Sequence, residues 1–408
     1  MKIGPFPRGM NNKAEDHDLP KGCARNLVNV DIPPSGRPRS RGGYDKVYSG
    51  MNCRGGFDCP SGIFFVEGAQ LKRFNANDTA TVLFSGVYGD TLTFEYENGI
   101  VYFSDGSIAK KILADHSVVT WGMDPPPAFT LVGVAGSFGS GVYTAAMTYV
   151  DANGVESGAS EISSFTAPDD STGIKFIFSN ASDDPQAVGM NLYLSMPNGS
   201  TLFLIGTVAL GTETYSVLSG QYDDARYLEL EMMDRPPAGR IIRHFSGRKF
   251  IALASGLVIW TEEFDYDHVR YADNYLQLPE AADVMEPVDD GIYFAYGNTT
   301  KFFAGRDPKA FIVHDVFDYG GVLGTGHKIE NSEQVAWFST RGAIIAGPGG
   351  SARNIQEKNV APDIGQSGAM ILREENGIRQ LLASLKDSTT STLACMSFME
   401  AEVIRRGE

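Results

Sequence analysis

Long apolar segments are missing from this sequence. No run of 18 apolar residues occurs, and the opening stretch from Met1 to Pro7 lacks the apolar core that a secretory signal needs. The sequence therefore predicts a chain that is made and folded in a cytoplasm and that has no membrane span.

Positive charge is also scarce. The chain has 34 Lys and Arg residues against 50 Asp and Glu residues, which gives a net charge of −16. Tight DNA binding depends on cations that neutralise phosphates, so this balance argues against a protein that wraps DNA. Negative walls remain compatible with a channel through which DNA slides without adhering.

Cysteine occurs only four times, at Cys23, Cys53, Cys59 and Cys395. Cys53 and Cys59 lie close together, but their spacing is not CxxC and no second pair of ligands lies nearby. We therefore expect free or buried thiols and no metal site.

The usual catalytic motifs are absent. The sequence has no GxxxxGK(S/T) loop, no GxGxxG that opens a helix after a strand, and no HExxH pair. The cluster that most resembles a site is residues 262–268, where carboxylates surround His268. Such a group is suited to metal binding or acid–base work, but we interpret it as a loop at a blade edge with solvated acids. We expect no catalytic residues, no cofactor and no enzymatic activity.

Glycine and aromatic residues are abundant, with 46 Gly, 24 Phe and 17 Tyr, whereas long runs of helix formers are scarce. This balance favours many short strands joined by tight turns. A unit of turn, short apolar strand and turn recurs along the chain, at Gly62–Gly68, Asn98–Gly106, Gly256–Thr261, Gly291–Gly297, Gln334–Ser339 and Asn376–Leu382.

The spacing of these units indicates a β-propeller. Most copies are separated by 35 to 43 residues, a period typical of propeller blades, and six copies predict about six blades. The interval from Gly99 to Gly256 is far longer, at 157 residues. Removing Pro127–Arg235 restores the period, so we interpret this segment as an inserted domain.

The inserted segment has the pattern of a β-sandwich. Short strands alternate with turns over about 100 residues, and the turn at Asp151–Gly154 carries the Asn-Gly signal of a hairpin, with a return strand from Val155. Paired prolines flank the segment at Asp124–Pro127 and Asp234–Pro237. We predict an all-β chain, a β-propeller with an inserted immunoglobulin- or fibronectin-like sandwich (the insert).

Five segments follow from this division. They are an N-terminal arm (1–47), a first propeller part (48–126), the insert (127–235), a second propeller part (236–387) and a C-terminal tail (388–408). The tail pattern is compatible with either a short helix or a closing strand.

The arm is rich in Pro, Gly, Arg and Asn. Its strand-like piece is Asn26–Ile32, and a cationic cluster follows at Arg37, Arg39 and Arg41. Two interpretations stand: a solvated loop that balances nearby carboxylates, or an arm that docks on an acidic neighbour.

The opening of the chain resembles a known family. The matching stretches are Gly9–Asn12, Leu19–Gly22, Arg25–Asp31 and Gly36–Tyr44. They resemble the opening of the tail nozzle or tail-tube (hub) proteins of short-tailed bacteriophages, and the resemblance covers about the first 50 residues.

The resemblance implies a structural protein of the virion tail that carries no catalytic residues. It implies a homo-oligomer, a hexameric ring below the adaptor, with double-stranded DNA passing transiently through the axis during genome ejection. It also implies contact with adaptor or other portal-side proteins and with fibres or spikes. We expect the subunit or adaptor interface to include Arg25, Arg37, Arg39, Arg41 and Tyr44.

Two alternatives remain open at this point. Exposed aromatic residues, expected at Trp260, Tyr266, Tyr271 and Tyr275, favour a propeller that binds carbohydrate or a receptor. The acidic residues Asp265 and Asp267 are the basis for a propeller-fold glycoside hydrolase.

Overall fold

The computed structural model describes residues 4–28, 30–33, 35–40, 46–178, 184–362, 364–375 and 378–386. Within these ranges the chain is built from strands, and its helical segments are three short 3-10 turns at Asp16–Asp18, Pro308–Ala310 and Pro348–Gly350. No helix in this part of the chain is long and apolar enough to cross a bilayer. The predicted all-β class is confirmed.

The arm contributes one small sheet. Its strands are Val30–Asp31 (β1) and Arg39–Ser40 (β2), which pair antiparallel. Within the described residues, 26–28 and Ile32 lie outside this ladder, so the strand expected over Asn26–Ile32 is longer than the one observed. Pro33, which has no N–H to donate, follows Ile32.

Two four-stranded antiparallel sheets follow. Blade 1 consists of Cys53–Cys59 (β3), Gly62–Glu67 (β4), Gln70–Phe74 (β5) and Ala80–Ser85 (β6). Blade 2 consists of Thr93–Glu97 (β7), Ile100–Ser104 (β8), Ala109–Ile112 (β9) and Val118–Thr120 (β10). Asn98 and Gly99 form the two-residue turn between β7 and β8 with φ values of 50° and 85°, the conformation that makes Asn-Gly a favoured hairpin turn.

The insert has eight strands, Thr130–Phe138 (β11), Gly141–Asp151 (β12), Ser163–Ala167 (β13), Thr172–Ile177 (β14), Ala187–Ser195 (β15), Leu202–Ala209 (β16), Thr214–Val217 (β17) and Asp223–Tyr227 (β18). They form a three-stranded sheet (β11-β14-β17) and a five-stranded sheet (β13-β12-β15-β16-β18). A shared apolar core that includes Phe176 and Leu192 joins the two sheets, so the predicted sandwich is confirmed. The chain does return along β12 from Val155, since the Asp151 N–H donates to the Val155 carbonyl and the Ser157 N–H to the Tyr149 carbonyl, both at 2.9 Å. This return makes one antiparallel bridge, Val150 with Glu156, and β13 is the strand that pairs with β12 over five residues.

Three further four-stranded sheets complete the described propeller. Blade 3 is Ile241–Phe245 (β19), Arg248–Ala252 (β20), Leu257–Trp260 (β21) and Tyr275–Gln277 (β22). Blade 4 is Ala282–Val288 (β23), Gly291–Tyr296 (β24), Thr299–Ala304 (β25) and Ile312–Phe317 (β26). Blade 5 is His327–Lys328 (β27), Val335–Ser339 (β28), Gly342–Ala346 (β29) and Ala352–Asn354 (β30). A sixth unit is the hairpin Ser367–Glu375 (β31) and Ile378–Lys386 (β32); the predicted tail 388–408 lies outside the described residues.

Neighbouring units share apolar cores, which is what holds a propeller together. Representative pairs across successive interfaces are Phe64 with Phe103, Tyr102 with Ile251, Phe250 with Phe294, Tyr293 with Trp337, and Phe338 with Met370. The first strands β3, β7, β19 and β23 contact one another in succession. These strands therefore occupy the inner side of the blades, and their polar residues face one another across blade boundaries.

The glycine that starts a repeat unit is called its anchor here, and for one unit, at Gly256, the sequence pattern places this anchor one strand too late. Gly62, Gly99 and Gly291 each begin or immediately precede the second strand of a blade, whereas Gly256 precedes β21, the third strand of blade 3. The equivalent turn glycine is Gly247, just before β20. With Gly247 as the anchor, the interval to Gly291 becomes 44 residues, close to the period of the following blades.

Candidate functional site

The arm holds the residues expected at an interface. Arg25 lies 3.5 Å from Asp16 as a half-exposed ion pair, whereas Arg37 and Arg39 are exposed. Among the described residues, neither Arg37 nor Arg39 contacts a carboxylate. Arg41 and Tyr44 fall outside the described residues, so their expected role stays a prediction.

The arm is bound to a segment that is distant in sequence, residues 357–361. The Asn12 side-chain amide donates to the Ala361 carbonyl at 3.0 Å, and the Ala361 N–H donates to Asn12 Oδ1 at 2.7 Å. The Asn12 N–H also donates to the carbonyl of Asn359 at 3.0 Å, and Lys13 Nζ donates to the Glu357 carbonyl. Asn12, which belongs to the matching N-terminal stretch, and Lys13 thus attach the arm to the segment between β30 and β31.

A tight turn presents the exposed arginines. Gly36 is buried with φ of +73°, and a Cβ at this position would lie 2.7 Å from the Pro7 nitrogen. The Phe6 N–H donates to the Gly36 carbonyl at 2.6 Å. Only glycine fits so close to this backbone in a left-handed conformation. The backbone from which the Arg37 side chain extends is therefore held in one conformation.

The acidic loop, residues 262–268, follows β21 of blade 3. The Asp265 carboxylate lies 2.7 Å from His268 Nδ1, and Lys111 Nζ donates to both oxygens of Asp267 at 2.8 and 2.7 Å. Burial raises the pKa of the Asp265 carboxyl, but the His268 contact and nearby charges outweigh burial and lower it overall. The interpretation of solvated acids is therefore wrong for Asp265 and Asp267, which are engaged in internal ion pairs.

The same loop connects three parts of the molecule. Trp121 Nε1 in blade 2 donates to the Tyr266 carbonyl at 2.7 Å, and His268 Nε2 lies 2.9 Å from the Glu156 carbonyl of the insert. Within the described ranges, no group of three His, Cys, Asp or Glu side chains has an arrangement that suits a metal ion. The acidic loop is arranged to join blades 2 and 3 to the insert.

A second ionic cluster lies on the inner strands. Arg243 of β19 donates to Glu286 Oε1 of β23 from Nε at 2.9 Å and from Nη2 at 2.6 Å, and Glu286 is almost fully buried. The His244 N–H donates to Glu95 Oε1 of β7 at 3.0 Å. Burial raises the pKa of Glu95. The cluster links blades 3 and 4 through the ion pair of Arg243 with Glu286, and blades 2 and 3 through the hydrogen bond from the His244 N–H to Glu95.

Lys249 of β20 lies beside this cluster. Its side chain is fully buried, and Nζ has no hydrogen-bond partner within the described part of the chain. Nζ lies 4.6 Å from the ring centre of Tyr102 and 5.2 Å from that of Tyr266, a cation–π arrangement. Burial lowers the pKa of this amine to about 8, although Glu95 and Glu97 act in the opposite direction.

The aromatic residues proposed for carbohydrate binding do not form one surface. Trp260 is buried and packs against Phe250 with ring centres 5.7 Å apart. Tyr266 is half-buried and packs edge-on against Tyr102. Tyr271 and Tyr275 are exposed, so the expectation of a shared exposed patch is wrong for Trp260 and Tyr266.

The two proline-containing ends of the insert, Asp124–Pro127 and Asp234–Pro237 (the necks), meet at one cleft. Arg235 Nε lies 2.6 Å from Asp124 Oδ1, and the Tyr271 hydroxyl donates to the Arg235 carbonyl at 3.0 Å. The cleft has a volume of about 350 Å³, and its lining includes Lys110 and Asp234. Burial raises the pKa of the Asp234 carboxyl. The paired prolines mark this place in the sequence, but they do not reveal the ion pair that joins the necks.

Sequence reasoning also missed the ion pairs between blades. Arg243 and Glu286 are 43 residues apart, and so are Arg240 and Asp283, whose Nη2 and Oδ1 atoms lie 3.2 Å apart. Because this separation equals one blade repeat, opposite charges at equivalent positions of successive units are a signal that could have identified both pairs.

Comparisons with known proteins give fold-level likeness only. No family model matches the chain, and no curated protein matches it. Among solved structures, BBS1N in complex with ARL6DN shows 10% identity over 83% of this chain and 90% of that chain, with a TM-score of 0.32. BamB from Moraxella catarrhalis shows 10% identity over 81% and 92% with a TM-score of 0.27, and PorZ from Porphyromonas gingivalis shows 12% over 82% and 42% with a TM-score of 0.23. Likenesses at this level carry no functional argument, and the propeller assignment rests on the strand pairing described above.

Proposed function

We propose that this chain is a non-enzymatic structural protein of a phage virion, a tail nozzle or hub subunit that assembles as a hexameric ring below the adaptor. In this role it is made in the host cytoplasm and becomes part of the tail. The ring provides a conduit for the ejected genome and attachment points for fibres or spikes.

The observation that carries the proposal is the arrangement of the arm. Asn12, inside the stretch that resembles the nozzle proteins, attaches the arm to the chain segment at Asn359 and Ala361. The arm also presents Arg37 and Arg39 to solvent. An arm that is anchored at one point and cationic at another is suited to bridging between subunits.

The charge distribution supports contact between copies. Residues 127–235 contain 13 Asp and Glu residues but only three Lys and Arg residues, whereas residues 1–47 contain nine Lys and Arg and five Asp and Glu. A basic arm and an acidic insert on the same chain favour head-to-tail association, in which the arm of one copy approaches acidic surface on the next.

The engagement of the acidic loop supports a role without catalysis. A general acid or base needs to reach a substrate proton, but the Asp265 and Asp267 carboxylates already lie against His268 and Lys111. The glycoside hydrolase alternative loses its candidate residues for this reason.

Assembly state tests the proposal. We expect the full chain, alone or with the adaptor protein of the same phage, to form ring-shaped oligomers in native mass spectrometry and negative-stain images. The double variant R37E/R39E should reduce ring formation, whereas R353E, which reverses an exposed arginine of β30, should leave it unchanged. Monodisperse monomers under both conditions would contradict the proposal.

DNA binding provides a separate test. A conduit needs weak contact with its cargo, so the isolated protein should show little affinity for duplex DNA at physiological salt. Strong binding that falls steeply with salt would point to phosphate neutralisation and would contradict a conduit with negative walls.

A second candidate function is carbohydrate or receptor binding at the neck cleft. The favouring observation is that Tyr271 offers an exposed aromatic face beside charged residues in a cleft of about 350 Å³. A glycan array probed with the full chain tests this, and loss of any signal in Y271A would locate it. An array without signal removes the candidate.

A further inference from the structure

His268 lies between the propeller and the insert. It ends the acidic loop of blade 3 and its side chain is buried. Its Nδ1 atom lies 2.7 Å from Asp265 Oδ2, and its Nε2 atom lies 2.9 Å from the backbone carbonyl oxygen of Glu156 in the insert. The Glu156 carbonyl oxygen can only accept a hydrogen bond. The Asp265 carboxylate can also only accept one when it is ionised.

Two acceptors on opposite sides of the ring define its protonation. A neutral imidazole has one N–H and can satisfy one of these contacts, while the other nitrogen would direct a lone pair at an oxygen. Only the imidazolium form donates to both. The geometry therefore favours a charged ring at this buried position.

The surrounding charges agree with this assignment. Asp265 faces the ring directly, and Asp267, which is paired with Lys111, adds a second negative charge nearby. The Glu156 carboxylate interacts instead with Thr148, Tyr193 and Arg226. Burial lowers the pKa of His268, but the Asp265 contact and the neighbouring carboxylates outweigh burial and raise it overall.

We propose that His268 is a proton-dependent link between the propeller and the insert. The protonated ring holds the Glu156 carbonyl against the acidic loop, and loss of the proton releases one of its two contacts. Since the pKa is raised in the folded state, the link is complete below the pKa of free imidazole and is lost as the pH rises through the higher folded value. The insert is then held by its remaining contacts, such as Gln186 Nε2 donating to the Thr120 carbonyl at 3.1 Å.

Nitrogen NMR on the full chain with labelled histidine tests the charge state. We expect both ring nitrogens of His268 to show the protonated signal at pH 6.5, with a transition above that of free imidazole. The signal is assigned by its absence in H268Q, or by its displacement in D265N if H268Q fails to fold. A neutral ring with a single tautomer at pH 6.5 would overturn the proposal.

Hydrogen exchange tests the mechanical consequence. Corrected for intrinsic rates, amides of residues 156–160 should lose about tenfold or more of their protection as the proton leaves His268, since hydrogen bonds to charged groups are strong. D265N should move this loss to lower pH, and H268Q should show the reduced protection at every pH. H314Q, which changes an exposed histidine of β26, should behave like the parent. Protection in the parent that does not depend on pH would overturn the link.

Discussion

Asn12 and Ala361 exchange two hydrogen bonds across 349 residues of sequence, at 3.0 and 2.7 Å. The side-chain amide of Asn12 thus imitates a backbone pairing, because it both donates to and accepts from one residue of the distant segment. This contact helps to hold the N-terminal arm against the segment between β30 and β31.

Replacing Asn12 should therefore weaken the whole fold. N12A loses both hydrogen bonds to Ala361, and because they are solvent-exposed we expect a loss of about 1 kcal/mol in the free energy of unfolding. Urea unfolding measures the change. N12D keeps the acceptor for the Ala361 N–H but not the donor, so it should fall between the parent and N12A. An N12A midpoint equal to that of the parent would show that the contact contributes nothing.

The ion pair between Arg243 and Glu286 should be sensitive to removal of one partner. E286Q leaves a buried guanidinium without its carboxylate, and we expect it to cost about 3 kcal/mol of unfolding free energy. The double variant R243M/E286L should cost less than E286Q, because it removes both charges. Chemical denaturation of the single and double variants compares the two effects.

The neighbouring pair of Arg240 and Asp283 supplies a matched control. It has the same separation of 43 residues, but its carboxylate is more exposed, with 30% of the Asp283 side chain accessible against 2% for Glu286. D283N should cost about 1 kcal/mol or less. Equal losses in D283N and E286Q would contradict the role assigned to burial.

Glu67 should make stability depend on pH in the acid range. Burial raises its pKa, but hydrogen bonds from Lys72, Tyr48 and the Met51 N–H outweigh burial and lower the pKa from 4.5 to about 2. The stability that ionised Glu67 contributes is therefore complete above pH 4.5 and is lost as the pH falls towards 2. In unfolding curves over this range, E67Q should show a weaker pH dependence than the parent. D58N, which changes an exposed carboxylate of β3, should retain the parent dependence.

Lys249 should be replaceable by an apolar side chain of similar size. Its pKa is lowered from 10.5 to about 8, so the unfolded chain holds the proton more tightly and parent stability should rise between those pH values. K249M should lack this rise and gain about 1–3 kcal/mol at pH 7. Thermal unfolding at pH 7 and 10 measures both effects, with K309M at an exposed position as the control. A less stable K249M at pH 7 would show that the contacts with Tyr102 and Tyr266 outweigh burial.

The repeat and the sandwich could be predicted because each rests on local patterns. Asn98 and Gly99 mark a hairpin turn directly, and the period near 40 residues follows from such turns. The error at Gly256 has a physical cause: β21 is wholly apolar after a glycine turn, whereas β20 begins with Arg248 and Lys249. The third strand of blade 3 therefore matches the pattern of glycine turn and apolar strand better than the second strand does.

The contacts of the acidic loop could not be predicted from sequence. His268 and Asp265 are three residues apart and visible as a cluster, but their neighbours come from elsewhere. Lys111 is 156 residues from Asp267, and Glu156 is 112 residues from His268. When the topology is unknown, the counter-charges of these carboxylates cannot be identified, and the acidic loop resembles a solvated one.

The ion pair between Asp124 and Arg235 brings the two ends of the insert to one point on the propeller surface. A segment that enters and leaves at one point can be lengthened, shortened or exchanged without altering the spacing of blades 2 and 3. The propeller can therefore stay constant while the insert is replaced. Variation among related chains would be tolerated most easily between these two residues.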